Sequence, residues 1–317
     1  MKLGELYRCA IEIGMDYYPS GRAGAVRRLA SLRQRYDALP QEEQERFDRE
    51  RLRNPFGDTR IANGSAEAEF DAILLGIDIR SGEALLAAEL RRARPGLAVI
   101  AHHAASFERR GLSSVEDTIW TMVQHLESVG VTTTEAEGLV WEFASKTESN
   151  VAPTLADASV LQMLQALDLP AMTIHTPCDL CYEAEARAIL AGCSTLGRAV
   201  AGLAAVPEMQ FSAGLGQPLV ALAGEPQARL GATFAAIAVG WRPPLKMMEA
   251  ALKAGARTLL VVAAPPEYVA LAKAYGANLI DIPHHMCDVR GMRLFYDLAL
   301  RDQGVDIIPC SNYRRLG

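Results

Sequence analysis

Five of the six histidines fall in three short clusters: His102-His103, His175, and His284-His285. Each cluster ends an apolar, β-branched run: Leu97-Ala98-Val99-Ile100, Ala171-Met172-Thr173-Ile174, and Asn278-Leu279-Ile280-Asp281-Ile282. A carboxylate follows two of them at short distance, as His175-Thr176-Pro177-Cys178-Asp179 and His284-His285-Met286-Cys287-Asp288. Imidazole nitrogen with carboxylate oxygen is the ligand set of zinc, iron, manganese or nickel. The ends of strands are where open α/β sheets collect their reactive groups. The pattern reads as a metal site.

Each cluster also has a plainer reading. Adjacent strand residues point to opposite faces, so His102 and His103 serve one site only if the strand ends there and the chain turns; Ala104, Ala105 and Ser106 are small enough to allow it. Otherwise they are surface loop histidines. At 175–179, Pro177 is expected to stop the strand ladder and begin a loop. Asp179 there can bridge two cations, and His175 is either a ligand or the donor that orients Asp179. His284 and Asp288 are four apart, so a helix starting near residue 285 presents both from one face; Asp288 also suits a helix N-terminus as a dipole partner. Cys178-Asp179-Leu180-Cys181 is half of a zinc site, a redox pair, or two small buried side chains. Gly214-Leu215-Gly216 lacks both the dinucleotide pattern and a phosphate-loop lysine, and reads as loop geometry.

The elements that must hold these residues alternate. Leu3, Leu6, Tyr7, Ala10, Ile11 and Met15 recur at helical spacing, as do Val26, Leu29, Leu32 and Tyr36. A third helix is expected from Pro40 to near Pro55-Phe56-Gly57. The series Arg22, Arg27, Arg28, Arg33, Arg35 reads as a solvated helix face rather than a phosphate-binding one. From about residue 69, strands at 70–79, 97–101, 171–175, 218–223, 232–239, 258–263 and 279–282 interleave with helices at 81–94, 114–128, 135–145, 155–167, 183–205, 245–254 and 266–275. Such alternation predicts βαβ units and a largely parallel sheet. The two halves share a rhythm but no repeat of fixed period.

With 317 residues, half of them apolar and 22% charged, the chain has the composition of a globular protein of two domains or one elaborated α/β domain. A net charge of −6 argues against a nucleic-acid or anionic-lipid binder. No run is apolar and long enough for a membrane helix, and the start lacks a signal peptide's apolar core. The expected location is cytoplasmic, where six cysteines stay reduced.

These motifs, in this order, resemble the NGG-one-interacting-factor-three family, also called dinuclear metal centre proteins and sometimes termed type-two GTP cyclohydrolases. Its hallmarks are a His-His pair after a strand, a later His-Thr-x-x-Asp, and a C-terminal Asp-x-x-His-x3-Glu. Here they stand as His102-His103, His175-Thr176-Pro177-Cys178-Asp179, and Asp281-Ile282-Pro283-His284 followed by Asp288. Leu75-Gly76-Ile77-Asp78 stands where the family has a strand-ending aspartate. The likeness covers about residues 65–110 and 165–317.

The resemblance implies metal ligands His102, His103, Asp179, His284 and Asp288, with Asp179 bridging two divalent transition-metal ions, and a homo-oligomeric ring of six. Three departures stand out: Ala104 replaces the usual proline, His285 replaces an aromatic, and Asp288 is one methylene shorter than glutamate. The expected architecture is two interlinked α/β lobes, 63–190 and 191–317, with the metal pair between them and a helical N-terminal extension, 1–62. The expected function is a dinuclear hydrolase acting on a small cyclic or amide-like molecule, a nucleotide base among the candidates. In it, His175, His285 and Asp78 orient ligands or move protons. The alternative is a non-catalytic protein that stores, delivers or senses a metal.

Overall fold

The computed structural model describes residues 1–103, 115–151, 159–238 and 242–316. In chain order its elements are α1 (Leu3–Asp16), α2 (Gly21–Asp37), α3 (Gln41–Arg46), a 3-10 turn (Arg49–Leu52), β1 (Arg60–Asn63), β2 (Ala72–Gly76), α4 (Ser81–Ala93), β3 (Leu97–Ala101), α5 (Val115–Ile119), α6 (Thr121–Ser128), α7 (Thr133–Val151) and α8 (Ser159–Ala166). There follow β4 (Ala171–Thr173), α9 (Thr176–Ala191), α10 (Leu196–Ala204), α11 (Pro207–Gly214), β5 (Val220–Ala223), β6 (Ala232–Ala236), α12 (Leu245–Ala254), β7 (Ala256–Val262), α13 (Pro266–Ala274), β8 (Asn278–Ile282), α14 (His284–Ala299) and β9 (Asp306–Pro309). Two compact units share them, and neither is continuous in sequence. The first takes Met1–Thr118, Thr147–Pro177 and Asp297–Asn312; the second takes Ile119–Lys146, Cys178–Tyr296 and Tyr313–Gly317.

The first unit is built on a five-stranded sheet in the order β1-β4-β3-β2-β9. Strands β4, β3, β2 and β9 run parallel and β1 pairs antiparallel with β4. Every residue of β2 and β3 is buried, which is why Ala72-Ile73-Leu74-Leu75-Gly76 and Leu97-Ala98-Val99-Ile100-Ala101 are continuously apolar rather than alternating. The second unit has a four-stranded sheet, β5-β8-β7-β6, with β6, β7 and β8 parallel and β5 antiparallel on β8. Helix α12 stops at Gly255, whose φ of +121° is open to glycine and strained for other residues.

These sheets are the same motif twice, which corrects the expectation that the halves share only a rhythm. Arg60, Ile61 and Asn63 oppose Thr173, Met172 and Ala171; Val220, Ala221 and Ala223 oppose Asp281, Ile280 and Leu279, with the register broken at the same step. Leu3 and Gly4 donate to the Ala68 and Ala66 carbonyls at 2.9 and 2.8 Å, and Leu196 and Gly197 donate to Ala228 and Pro226 at 2.9 and 2.8 Å. Helix α1 is therefore the counterpart of α10, at the start of each motif. The equivalence escapes sequence because side chains diverged while backbone pairing, which carries no side-chain identity, was kept.

Several sequence expectations shift. Helix α2 forms, but its buried residues are Gly24, Ala25, Arg28 and Leu32, and Val26 is 51% exposed. The third helix breaks into α3 and the 3-10 turn. The helix read over 114–128 divides into α5 and α6, and that over 183–205 begins instead at Thr176. Pro177 does not start a loop: it occupies the first turn of α9, where its missing N–H costs nothing. Strands β1 and β9 and helix α11 were not apparent. Both strands are four-residue edge strands with half-exposed sides, so neither shows a burial periodicity. The turn expected at Ala104, Ala105 and Ser106 lies outside the described residues.

The arginine series is not a solvated face throughout. Arg28 is 2% exposed and donates to Glu116 at 2.9 Å and Asp117 at 2.7 Å, while Arg35 and Arg51 close the same two carboxylates from outside. Burial raises the Glu116 carboxyl's pKa, but Arg28 and Arg35 outweigh it and hold it below its ordinary value. Removing Arg28 strands buried carboxylates. Arg28→Met is expected to cost ~3–5 kcal/mol in urea denaturation, whereas Arg35→Ala, whose side chain is 43% exposed, costs less than ~1 kcal/mol. Equal, small losses would show that the cluster does not anchor α5 to the N-terminal helices.

Candidate metal centre

In the first unit the parallel ladder runs two residues beyond β3. His102 N–H donates to Gly76 O at 2.9 Å and His103 N–H to Ile77 O at 3.0 Å, so both histidines leave a fixed backbone. Ile174 N–H donates to Ala101 O at 3.0 Å, which brings the residue before His175 alongside. The three rings cluster: centroids are 5.0 Å apart for His102 and His103, 4.6 Å for His102 and His175, and 5.2 Å for His103 and His175. His102 is buried, His175 nearly so, and His103 half-buried.

The hydrogen bonds decide which ring nitrogen can ligate. His102 Nδ1 lies 3.2 Å from Ile174 O, His103 Nδ1 2.9 Å from Asp78 Oδ1, and His175 Nδ1 2.9 Å from Asp58 Oδ2. Carbonyl and carboxylate oxygens only accept, so each Nδ1 carries a proton and each ring, when neutral, keeps its lone pair on Nε2. That is the state a metal-binding histidine needs, with an oxygen acceptor behind the ring. One ligand nitrogen from each ring falls within 4.8 Å of the others. Nitrogens sharing an ion at ~2.0–2.1 Å sit roughly 3–4 Å apart, so small side-chain rotations would close the set.

Asp78 and Asp58 are the carboxylate acceptors, beside the Ile174 carbonyl. Asp78 leaves the end of β2, and its own carbonyl accepts from Ser311 Oγ. Asp58 was not singled out from sequence. It lies in a turn held by Asn54, whose side chain accepts from Phe56 N–H and donates to Thr59 O, both at 2.8 Å. Asp58 is 3% exposed and also accepts from Thr176 Oγ1 at 2.7 Å and Thr176 N–H at 3.4 Å. Burial pushes its pKa up, but His175 and the Thr176 hydrogen bonds outweigh burial and leave it below its ordinary value. The signal available in sequence was weak: an aspartate in a Gly-Asp-Thr turn, far from any histidine.

In the second unit, Asp179 sits in the first turn of α9 and is 7% exposed. Helix α14 begins at His284, one residue before its expected start. His284 Nε2 lies 3.5 Å from Asp288 Oδ1 across one helical turn, with Asp288 buried and His284 49% exposed on its side chain. His285 occupies the next position of that turn and is half-buried. The two helices meet backbone to backbone: a Cβ on Gly291 would stand 2.5 Å from Cys178 O. Glycine there lets the start of α9 approach α14.

Burial pushes the Cys181 and Cys287 thiols up, and neighbouring carboxylates, Asp179 among them, push in the same direction. A thiolate, not a thiol, is the metal ligand. Among the described residues no cysteine joins a group of side chains close enough to share an ion. In the first unit the three imidazoles are grouped closely enough to be candidate ligands of a metal ion.

The orientation of His175 by Asp58 can be measured. Asp58→Asn should weaken metal binding ~10–100-fold in a chelator competition, because His175, packed against the His102 and His103 rings, loses the charged acceptor that fixes it. Cys178→Ser with Cys181→Ser should leave metal content unchanged. Thiol-dependent metal content with indifference at residue 58 would exchange the two assignments.

The sequence matches no family model and no curated protein. Solved structures do match it. A NIF3 superfamily protein from Sphaerobacter thermophilus superposes with a TM-score of 0.70 at 19% identity, over 96% of this chain and 97% of that one. Reduced HcgD from Methanocaldococcus jannaschii gives 0.46 at 9% identity over 79% of this chain and 87% of that one, and the hypothetical protein SA1388 from Staphylococcus aureus gives 0.44 at 12% over 82% and 92%. The first shows that the chain has the fold of that protein over nearly its whole length.

Proposed function

We propose that this NIF3-like chain holds two divalent transition-metal ions and uses them to hydrolyse a small cyclic or amide-like molecule, a nucleotide base among the candidates. The observation that carries the reading is the state of the three clustered imidazoles, each with Nδ1 committed to an oxygen and its lone pair on Nε2. The ligands in this reading are His102, His103, Asp179, His284 and Asp288, with Asp179 shared between the ions. Zinc, iron, manganese and nickel all suit such nitrogen and oxygen donors. A centre of this kind supplies a nucleophile at neutral pH and polarises the bond to be cut.

The chain's own residues have separate tasks in this reading. Asp58 holds His175 and Asp78 holds His103, so the protonated nitrogen of each ring is set before the ligand set closes. Asp288, one methylene shorter than glutamate, reaches less far from α14 and favours binding through one oxygen. His285 faces away from His284 along the turn and is placed to carry a proton for substrate. The resemblance extends the proposal to a homo-oligomeric ring of six, and a cytoplasmic location is proposed with it. No described helix is long and apolar enough to cross a membrane.

The second reading, a protein that stores or delivers metal, is favoured by one feature: the His284 side chain is 49% exposed, and a ligand open to solvent releases its ion readily. Metal analysis of anaerobically purified protein, followed by activity profiling against a metabolite collection, separates the two. Turnover supports hydrolysis; fast, complete exchange without turnover supports delivery.

Two variants probe the site itself. Asp179→Ala should lose both ions, since a shared carboxylate serves each; full metal retention removes Asp179 from the centre. His285→Phe should keep its metal and lower turnover by ~10²–10⁴-fold if it is the proton carrier. Unchanged kinetics would reduce His285 to a packing residue, and lost metal would make it a ligand.

A further inference from the structure

The second unit contains a cavity of about 820 Å³ whose rim is formed by the C-terminal end of α9, the start of α10 and the start of β6. It lies away from Asp179: the eight residues of α9 from there to Arg187 span ~12 Å. Two arginines line it, Arg187 and Arg229, with Ser194, Thr195 and Gln227 beside them.

Arg187 is held from behind. Its Nε donates to Glu183 Oε1 at 3.1 Å and one terminal nitrogen donates to His125 Nδ1 at 2.7 Å. Glu183 and His125 are 1% and 0% exposed, and the second Glu183 oxygen accepts from Ala238 N–H at 3.0 Å. An arginine only donates, so His125 accepts at Nδ1 and carries its proton on Nε2, 3.2 Å from Glu183 Oε1. These contacts use one edge of the guanidinium and fix its plane, leaving the remaining terminal nitrogen for the cavity.

Arg229 has no acidic partner among the described residues. Its backbone is fixed by a bridge to Thr195, and its carbonyl accepts from Asn278 Nδ2 at 3.0 Å. Thr195 precedes α10, but its hydroxyl caps nothing, because Ala228 and Pro226 carbonyls take the first N–H groups of that helix. Leu190 and Leu230 give the cavity an apolar wall.

The first motif carries a surface ion pair at the corresponding corner. There the bridge equivalent to Thr195–Arg229 joins Lys2 to Glu69, and Lys2 Nζ pairs with Glu67 at 2.7 Å. By the same register Gln227 replaces Glu67 and Arg229 replaces Glu69. Where the first motif has two acids and an exposed ion pair, the second has an amide and a cation beside the cavity.

We propose that this cavity binds the oxyanion of a small metabolite, a phosphate or a carboxylate, on Arg187 and Arg229, with the Ser194 and Thr195 hydroxyls and the Gln227 amide completing its hydrogen bonds. Guanidinium groups recognise such oxygens in pairs, and a preorganised arginine loses little entropy in doing so. The leucine wall accommodates an apolar body attached to the anion.

Calorimetric titration of the full chain with inorganic phosphate and with citrate, at constant ionic strength and against sodium chloride, tests this. Saturable binding of one probe is expected, and which one binds tells phosphate from carboxylate. Arg229→Ala should weaken it ~10–100-fold, the usual loss for hydrogen bonds to a charged group. Arg229 is exposed, so the variant folds, and its thermal unfolding midpoint confirms that. His284→Ala should leave the binding unchanged. Absence of saturable binding, binding indifferent to Arg229→Ala, or binding lost with His284→Ala would overturn the proposal, the last by placing the anion at the metal ligands. The proposal does not depend on the hydrolase reading, because no step of this test measures turnover.

Discussion

One carboxylate does two jobs on which the candidate centre depends. Asp58 accepts from His175 Nδ1, which sets the tautomer and the plane of that ring, and from Thr176, which opens α9. A negative group at a helix N-terminus is favoured by the unpaired N–H groups and the helix dipole. The strand-to-helix junction at 173–176 and the chemistry of His175 are thus fixed by the same atoms. The N-terminal region holds the arrangement in place: a Cβ on Gly14 of α1 would stand 2.6 Å from Phe56 and 3.1 Å from Pro177. With no room for a methyl, α1, the Asp58 turn and the start of α9 pack as one block.

The doubled motif explains how one backbone plan serves unlike purposes. Its first copy places His102 and His103 after β3 and Asp78 after β2. At the matching positions of the second copy, Val262 ends β7, Ala263 follows it, and Ala238 stands after β6. The second copy instead places His284 and Asp288 on the helix after β8. Backbone hydrogen bonding tolerates such exchange, because the ladder needs only N–H and C=O groups.

Charge is handled differently in the two units. Arg28 is withdrawn from solvent and compensated twice, by Glu116 and Asp117. Arg187 is compensated once, by Glu183, and faces a cavity beside an arginine with no acid partner among the described residues. Buried ion pairs are poor evidence of stability in themselves, because desolvation offsets most of their attraction. Their clearer effect is positional: in both units they leave little freedom in where a guanidinium plane can point.

Sequence by itself determined the elements whose signal is local. The wholly apolar run at 97–101, the largely apolar run at 278–282, the helix at 245–254 closed by Gly255, and the histidines at strand ends were legible because burial and glycine's access to positive φ act within a few residues. The four-residue spacing of His284 and Asp288 was legible for the same reason. Tertiary structure alone decided the rest. The acceptors behind the imidazoles come from Asp58 and Asp78, separated in sequence from the histidines they orient, and no periodicity announces such a pairing. It also decided that Arg28 turns inward, since its carboxylates arrive from α5. The edge strands β1 and β9 are defined by a neighbour's free N–H and C=O groups rather than by their own side chains, so only the assembled sheet could reveal them.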